Sequence, residues 1–415
     1  VRIRTLLLYL IGSRRAILDL AADRHGLWVG LLFVLSAGFA REYDGQDLLR
    51  EPWHLLIPLG ASLAASFALF LVACGPVFFQ GEGRPPFFSA YRSFLTLFWM
   101  TAPLAWLYAV PYERFLSPGA ATSANLWTLA LVAAWRVALM VRVVSVLTGR
   151  GVVPSVFLVM AFADAVALAA MSLVPKPIFS VMGGIRLTES EAAILGATFF
   201  VSCLGILSAP VWVIGGFIAL ATGKPVWRVP VGPRQTAPPS RGVWGVAALS
   251  LAVWLPILPR TQAEQQLRSR VERDMKAGHI ADGLDVMSAH APSDFPPHWD
   301  PPPRIGYGES SPPILDVMDV LVARADAPWV RACYADKLRR SLGGQWASVY
   351  EPKRGADLAR IVRILRQIPE GSDIAAEYVD GVESRLSDSQ LSAEDRENLK
   401  ALRDLAGKRG GWPNR

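Results

Sequence analysis

The sequence predicts an all-α integral membrane protein in which about seven transmembrane helices are followed by a C-terminal all-helical soluble domain. Three observations carry this expectation. The chain of 415 residues is 52% hydrophobic with a mean hydropathy of +0.31, too apolar for most soluble proteins and unlike a disordered one. Its first 258 residues break into seven apolar stretches, each near the roughly 20 residues a helix needs to cross about 30 Å of hydrocarbon. After Pro259 the composition changes abruptly, to 23 basic and 24 acidic residues in 157 positions. The apolar runs are continuous and do not alternate, which favours helices over a barrel, since a helix satisfies its own backbone in lipid.

The N-terminal segment 1–25 opens with Arg2, Arg4 and a short apolar run to Ile11, which resembles the start of a signal peptide. The run is only about eight residues long, no small-x-small cleavage site follows, and Arg14 and Arg15 come directly after it. The expectation is instead an amphipathic helix on the inner membrane surface, capped by Ser13 and running to Arg24. A transmembrane bundle over 26–258 comes next, with spans at Gly26 to Ala40, Trp53 to Phe79, Phe94 to Val110, Leu126 to Val141, Val153 to Val174, Ala192 to Ala221 and Gly242 to Leu258. The first of these is short and the last contains Pro256. Trp53, Trp127, Trp227, Trp244, Tyr108 and Tyr112 fall near predicted span ends, where indole and phenol rings prefer the interface.

Lys and Arg are retained on the cytoplasmic side of short loops, so their distribution gives an orientation. One set of alternate loops holds thirteen basic residues and the other holds five, namely Arg41, Arg50, Arg114, Lys176 and Arg186. This predicts a cytoplasmic N-terminus and, after seven spans, an extracytoplasmic C-terminal domain, in what is expected to be a bacterial inner membrane. The net charge of +7 divides into +8 over residues 1–258 and −1 over 259–415. The basic excess is therefore a topology signal, and no nucleic-acid partner is expected.

The domain over 259–406 reads as short helices. Thr261-Gln-Ala-Glu264 has capping-box spacing and predicts a helix to about Ala277, and His279 to His290 reads as a second helix after Gly278. Eight prolines between Pro292 and Pro313 forbid regular helix and predict an extended strap with Phe295 and Trp299 as anchors. Helices are expected again at Ile314 to Arg324, Pro328 to Leu342, Ala356 to Ile368, Asp373 to Leu386 and Ala393 to Leu405, the last opened by a second capping box, Ser392-Ala-Glu-Asp395. The Gly- and Arg-rich tail 407–415 is expected to be disordered.

Candidate sites are few. Arg136 and Asp164 are ionisable residues inside predicted spans, where such groups are costly and face protein or water with a partner. They lie fourteen positions either side of the turn at Arg150, which puts them at similar depth in antiparallel helices and predicts an intramembrane ion pair, structural or on a transport path. The loop Arg41 to Glu51 carries Glu42, Asp44, Asp47 and Glu51, but lacks the order of a calcium hand. His290, His298 and Asp300, with Asp294, are weak metal or acid-base candidates, because their spacing is not that of a helical zinc motif. Arg360, Arg363 and Arg366 read as a solvated helix face. Cys74, Cys203 and Cys333 give neither metal spacing nor a disulfide framework. Phosphate loops, zinc-protease and nucleophile-elbow motifs are absent from the sequence, so neither a catalytic residue nor a cofactor is expected. The functional expectation is a non-enzymatic membrane anchor, scaffold or sensor that presents its C-terminal domain to a protein partner. A transporter or channel component using Arg136 and Asp164 is the alternative.

Overall fold

The structure, a computed structural model, describes residues 2–79, 85–173, 187–222, 225–229, 240–305, 312–347, 355–388 and 391–407. All regular structure among them is helical. The chain divides into two units, Val1–Val174 with Gly196–Gln265, and Pro175–Leu195 with Gln266–Arg415. The tail over 408–415 and part of the proline strap, 306–311, lie outside the described residues.

The first unit starts with α1 (Ile3–Leu10) and α2 (Arg14–Ala21), followed by α3 (Gly26–Glu42), α4 (Leu56–Cys74), the single turn α5 (Pro76–Phe79) and α6 (Phe87–Trp99). A 3-10 segment, Ala102–Ala109, continues α6. Then come α7 (Pro118–Thr148), α8 (Val152–Leu173), α9 (Glu189–Thr222), α10 (Arg241–Ala252) and α11 (Trp254–Lys276). Six of the helical stretches are long and apolar enough to cross a membrane: Pro52–Cys74, Phe87–Arg114, Pro118–Thr148, Val152–Leu173, Glu189–Thr222 and Arg241–Lys276. The first expected span differs from these. Its helix, α3, has 17 residues and rises about 25 Å at about 1.5 Å per residue, short of the hydrocarbon thickness. It is nevertheless central, packing against α4, α6, α10 and the 3-10 segment, with Val29, Phe33 and Ala40 fully buried.

The short helix expected after Ser13 is present as α2, and α1 precedes it as a second helix, the two joined by a turn at Gly12, in the left-handed region at φ 78°. Tyr9, Ile17 and Leu20 are fully buried in the core that holds Phe33 and Phe94, and the Tyr9 hydroxyl donates to the Leu97 carbonyl at 2.6 Å. Arg14, Arg15 and Asp19 of α2 and the apolar Ile3, Leu7 and Leu8 of α1 stay exposed. The first turn of α3, at Gly26, lies against Thr96 near the end of α6, and α2 packs on α6 and α7.

The third expected span is also broken. Pro103 has no N–H to offer the Trp99 carbonyl, and the helix tightens to 3-10 geometry after Met100. At the break the Thr101 hydroxyl donates to the Phe98 carbonyl at 2.7 Å. In α9, by contrast, Pro210 is accommodated within one continuous helix of 34 residues. The boundary expected at Pro259 is likewise absorbed, since α11 starts at Trp254 and runs on to Lys276 with Pro259 inside it. Thr261 does not cap a new helix. Its hydroxyl turns back to the carbonyls of Ile257 and Leu258.

The second unit contains the end of α11, then α12 (Ile280–Ser288), α13 (Ile314–Val322), α14 (Pro328–Ala347), α15 (Gly355–Gln367), α16 (Gly371–Glu377), α17 (Val379–Leu386) and α18 (Ala393–Gly407). These agree with the sequence reading except that the helix expected over 373–386 is split at Tyr378. Gly278, at φ 85°, terminates α11, and Gly283 lets α12 return close against Met275. Val271, Leu284, Met318, Tyr334, Leu338 and Ile364 form the fully buried centre of one hydrophobic core. Half of the capping box expected at Ser392 forms, with the Asp395 amide donating to the Ser392 hydroxyl at 3.0 Å.

Candidate functional site

Arg136 lies on α7 beside the break in the third span. Its Nε donates to the Thr101 hydroxyl at 3.1 Å, and its guanidinium carbon stands 5.2 Å from the centre of the Phe98 ring, a cation-π contact. Tyr9, Tyr108 and Arg41 are the other titratable groups close enough to act on it electrostatically. The expected ion pair with Asp164 is not among these interactions. The two side chains leave their helices toward different neighbours. Arg136 turns toward the Thr101 break, whereas Asp164 on α8 turns toward α9, where a Cβ at Gly205 would stand 3.0 Å from its Oδ1. Among the described residues Asp164 makes no hydrogen bond and no ion pair. The sequence showed the two charges but not the azimuth. The Thr-Ala-Pro run at 101–103 was the available signal for a polar group in the middle of the third span.

The glycines of α9 serve close packing. Gly205 lies against Leu168, Gly215 against the Phe157 ring and Gly216 near Ala161, all on α8. Phe157 and Trp212 add a tilted ring pair with centroids 6.0 Å apart.

The acidic loop Arg41–Glu51 is knitted to the bundle and not arranged around a cation. Glu42 pairs with Arg41, and Glu51 with His54 at 2.9 Å. Gln262 on α11 donates to the carbonyls of Tyr43 and Gln46, both at 3.1 Å, and accepts from the Leu49 amide. Gln265 donates to the Asp44 carbonyl, and Arg114 pairs with Glu264 at 2.7 Å. Burial, and after it the charge of Glu113, push the Asp44 carboxyl up to about 6 against the pull of Arg114. The folded chain thus holds this proton more tightly than the unfolded chain, whose carboxyl titrates near 3.8. Ionising Asp44 therefore costs stability that is fully felt above about pH 6 and vanishes below about pH 3.8. The variant Asp44→Asn is expected to be the more stable chain above pH 6 and to lose part of the gain that the wild type shows on acidification from pH 7 to pH 4. Thermal melts across that range read this directly, and an unchanged slope in the variant would refute it.

In the second unit the proline strap is anchored as its aromatic residues suggest. Phe295 is buried and stacks on Trp299 with centroids 4.8 Å apart, and Trp329 closes the cluster at 5.8 Å. The Trp299 indole donates to Glu272 and the Trp329 indole to the His290 carbonyl. The metal candidates are drawn to different partners. His290 faces Asp294 at 3.6 Å, His298 occupies a left-handed backbone position at φ 58°, and Asp300 is held by Lys337 and Arg340. Among the described residues no three His, Cys, Asp or Glu side chains come together as a metal site.

Lys337 was not singled out by sequence reasoning. The side chain is fully buried on α14, its ammonium bonded to Asp300 and to the Pro303 carbonyl at 3.0 Å, while the Tyr334 hydroxyl one turn earlier donates to the Pro302 carbonyl at 2.8 Å. The two side chains clamp the strap to α14. Nothing in the local pattern of α14 distinguishes Lys337 from Arg339 or Arg340, because its partner is supplied from 37 residues away.

Two members of the arginine series on α15 are engaged in ion pairs. Arg360 bridges Asp316 and Asp319 of α13 at 2.6 and 2.7 Å, and Arg363 pairs with Asp319 at 2.6 Å. They join two helices of the unit through charge-assisted bonds. No protein-family model, no curated protein and no solved structure matches the chain.

Proposed function

We propose that the chain is a multi-pass protein of the bacterial inner membrane whose spans anchor and position an extracytoplasmic helical domain, which binds a protein partner or senses the state of the envelope without catalysing a reaction. The reading takes α3 as a seventh crossing, because it is central in the first unit and packs against helices that are themselves long enough to cross. Seven crossings and the excess of basic residues in alternate loops put the N-terminus in the cytoplasm and the C-terminal domain outside. The observation that carries the functional part is the construction of the second unit. It has its own hydrophobic core, and its charges join helix to helix, as at Arg360 with Asp316 and Asp319, which leaves a stack of short helices of the sort that serves as a binding surface. A topology reporter fused after Gly407, together with co-purification through the same domain, tests both parts. An extracytoplasmic signal and a stoichiometric partner are expected, and a cytoplasmic signal would overturn the orientation.

A second reading, a transporter or channel component, draws on Asp164, a carboxyl on an apolar helix without a hydrogen-bonding partner among the described residues. Solute or proton flux in proteoliposomes, abolished by Asp164→Asn in a chain that still folds, would favour it over the scaffold.

A further inference from the structure

The first helix leaves one of its faces uncovered. Leu6 and Tyr9 of α1 turn into the core, whereas Ile3, Leu7 and Ile11, spaced by four residues and so aligned in one stripe, are exposed, Leu7 to 59% and Ile11 to 73%. The stripe lies beside two of the stretches long enough to cross a membrane. A Cβ at Gly242, at the start of α10, would stand 3.0 Å from the Ile3 Cδ1, and the Trp135 indole of α7 donates to the Leu10 carbonyl at 2.9 Å. An aliphatic face at the edge of such a bundle has acyl chains as its neighbours.

Guanidinium groups stand at both ends of this stripe. Arg2 and Arg4 are exposed at its start, and past the Gly12 turn come Arg14 and Arg15, the latter with 94% of its side chain exposed. Arg142 of α7 joins the second group, because its Nε donates to the Gly12 carbonyl at 3.2 Å and its Cγ would lie 3.3 Å from a Cβ at Gly12. Its two terminal nitrogens make no further bond among the described residues, and neither do the side chains of Arg2, Arg4 and Arg14. Asp19, 4.0 Å from Arg15, is the single carboxylate on α1 and α2. The eight residues of α1 rise about 12 Å at about 1.5 Å per residue, which is the separation of the two basic ends.

Charge complementarity names the occupant. Unpaired guanidiniums flanking an aliphatic stripe match a molecule that carries acyl chains and a phosphate together, since the planar guanidinium fork suits phosphate oxygens. A second copy of the chain docked by the same face would set arginine against arginine. We propose that α1, the Gly12 turn and the start of α2 form a docking surface for anionic phospholipid, with acyl chains against Ile3, Leu7 and Ile11 and the headgroup phosphate held by Arg14, Arg15 and the free fork of Arg142. The surface rests on the reading of the chain as a membrane protein and not on the scaffold or transporter reading. It is also independent of which side the N-terminus faces, because its test uses micelles, which have no sides.

The purified full-length protein in detergent micelles is titrated with phosphatidylglycerol and, separately, with phosphatidylcholine of the same acyl chains, and bound lipid is counted by native mass spectrometry. The first phosphatidylglycerol is expected to bind about tenfold more tightly than the first phosphatidylcholine. In the double variant Arg14→Gln with Arg15→Gln, changes at exposed side chains that should leave the melting temperature as it is, the preference should fall to about twofold or less. Leu7→Ser with Ile11→Ser should weaken both lipids alike, because it removes the seat of the acyl chains and leaves the charges. Arg50→Gln, at an exposed side chain of the loop between α3 and α4, controls for net charge and should change neither affinity. Inorganic phosphate at millimolar concentration should leave the lipid bound, since a phosphate site alone would release it. Equal affinity for the two lipids in the wild type, a preference that survives Arg14→Gln with Arg15→Gln, or unchanged binding in Leu7→Ser with Ile11→Ser overturns the proposal. So does an equal loss in Arg50→Gln, displacement by phosphate, or a protein dimer that the serine substitutions abolish.

Discussion

Replacing Gly215 with valine is expected to force α8 and α9 apart and to cost about 3 kcal/mol, the upper end of what overpacking usually costs. A Cβ at this position would overlap the Phe157 ring itself, before any larger branch is considered. The ring has little room to move, because Trp212 stands against it with centroids 6.0 Å apart. The neighbouring Gly216 is the internal control. A Cβ there would meet the Ala161 Cβ at 3.8 Å, an ordinary contact, so Gly216→Ala should be nearly neutral. Gly196 has nothing within 4 Å of such a Cβ and should tolerate alanine equally well. Truncating the obstacle should repair the damage: Phe157→Ala combined with Gly215→Val should recover most of the loss, although Phe157→Ala alone leaves a void. Unfolding in mixed micelles titrated with SDS measures all five chains. Equal effects at Gly215 and Gly216, or no rescue by Phe157→Ala, would show that the close approach of α8 and α9 is not set at this glycine. The same helix pair positions Asp164, since Gly205, nearly three turns earlier on α9, also lies against α8, and Asp164 reactivity toward a carbodiimide should therefore rise in Gly215→Val.

The helical class, the apolar stretches and most helices of the second unit could be read directly from the sequence, because hydropathy and helical periodicity are local properties. What could not be read was set by packing. α3 has the composition of a span but, at 17 residues, is shorter than the six longer apolar helices, and the segment before it, which looks interfacial from its arginines, buries Tyr9, Ile17 and Leu20. Capping-box spacing succeeded at Ser392 and failed at Thr261 for one reason. At Thr261 the chain was already helical, and a hydroxyl inside a helix bonds back to a carbonyl one turn earlier. The domain boundary expected at Pro259 lies inside a long helix, and Pro210 lies within its expected span as one continuous helix, whereas Pro103 does accompany a change of helix type. For the site, residue type was legible at Arg136 and Asp164, but side-chain direction was not. Sequence separation gives height along a pair of antiparallel helices and says nothing about the angle at which each side chain leaves.

The strap clamp should show an asymmetry that identifies which of its two charges matters. Lys337 is fully buried, whereas the Asp300 side chain is 44% exposed and also lies 3.8 Å from Arg340. Removing the lysine charge with Lys337→Met keeps the packing of the stem and leaves Asp300 with water and Arg340, so the loss should be confined to the Pro303 carbonyl bond, about 1–2 kcal/mol. Removing the aspartate charge is the harsher change, because Asp300→Asn strands an ammonium in the core, and breaking a buried pair in that sense costs about 3–5 kcal/mol. The double variant should be more stable than Asp300→Asn alone, since no uncompensated charge remains. The pH dependence gives an independent reading. Burial lowers the Lys337 ammonium below its ordinary value of 10.5, outweighing the opposing pull of Asp300. The unfolded chain then binds the proton more tightly, so this group's contribution to stability rises with pH between its folded value and 10.5. The rise should start at lower pH in Asp300→Asn, which lacks the counter-charge, and should be missing from Lys337→Met. Cys333, one turn before Lys337 on α14, is a built-in probe, because its partial burial raises its thiol to about 11 and should slow its alkylation in the folded unit relative to the opened one. Pulsed alkylation of Cys333 in the full chain against urea, read by mass spectrometry at pH 7 and pH 9, yields the stability of each variant. A chain in which Lys337→Met is the more damaging substitution would mean that the strap is held by the lysine's own bonds and not by the neutralisation of a buried charge.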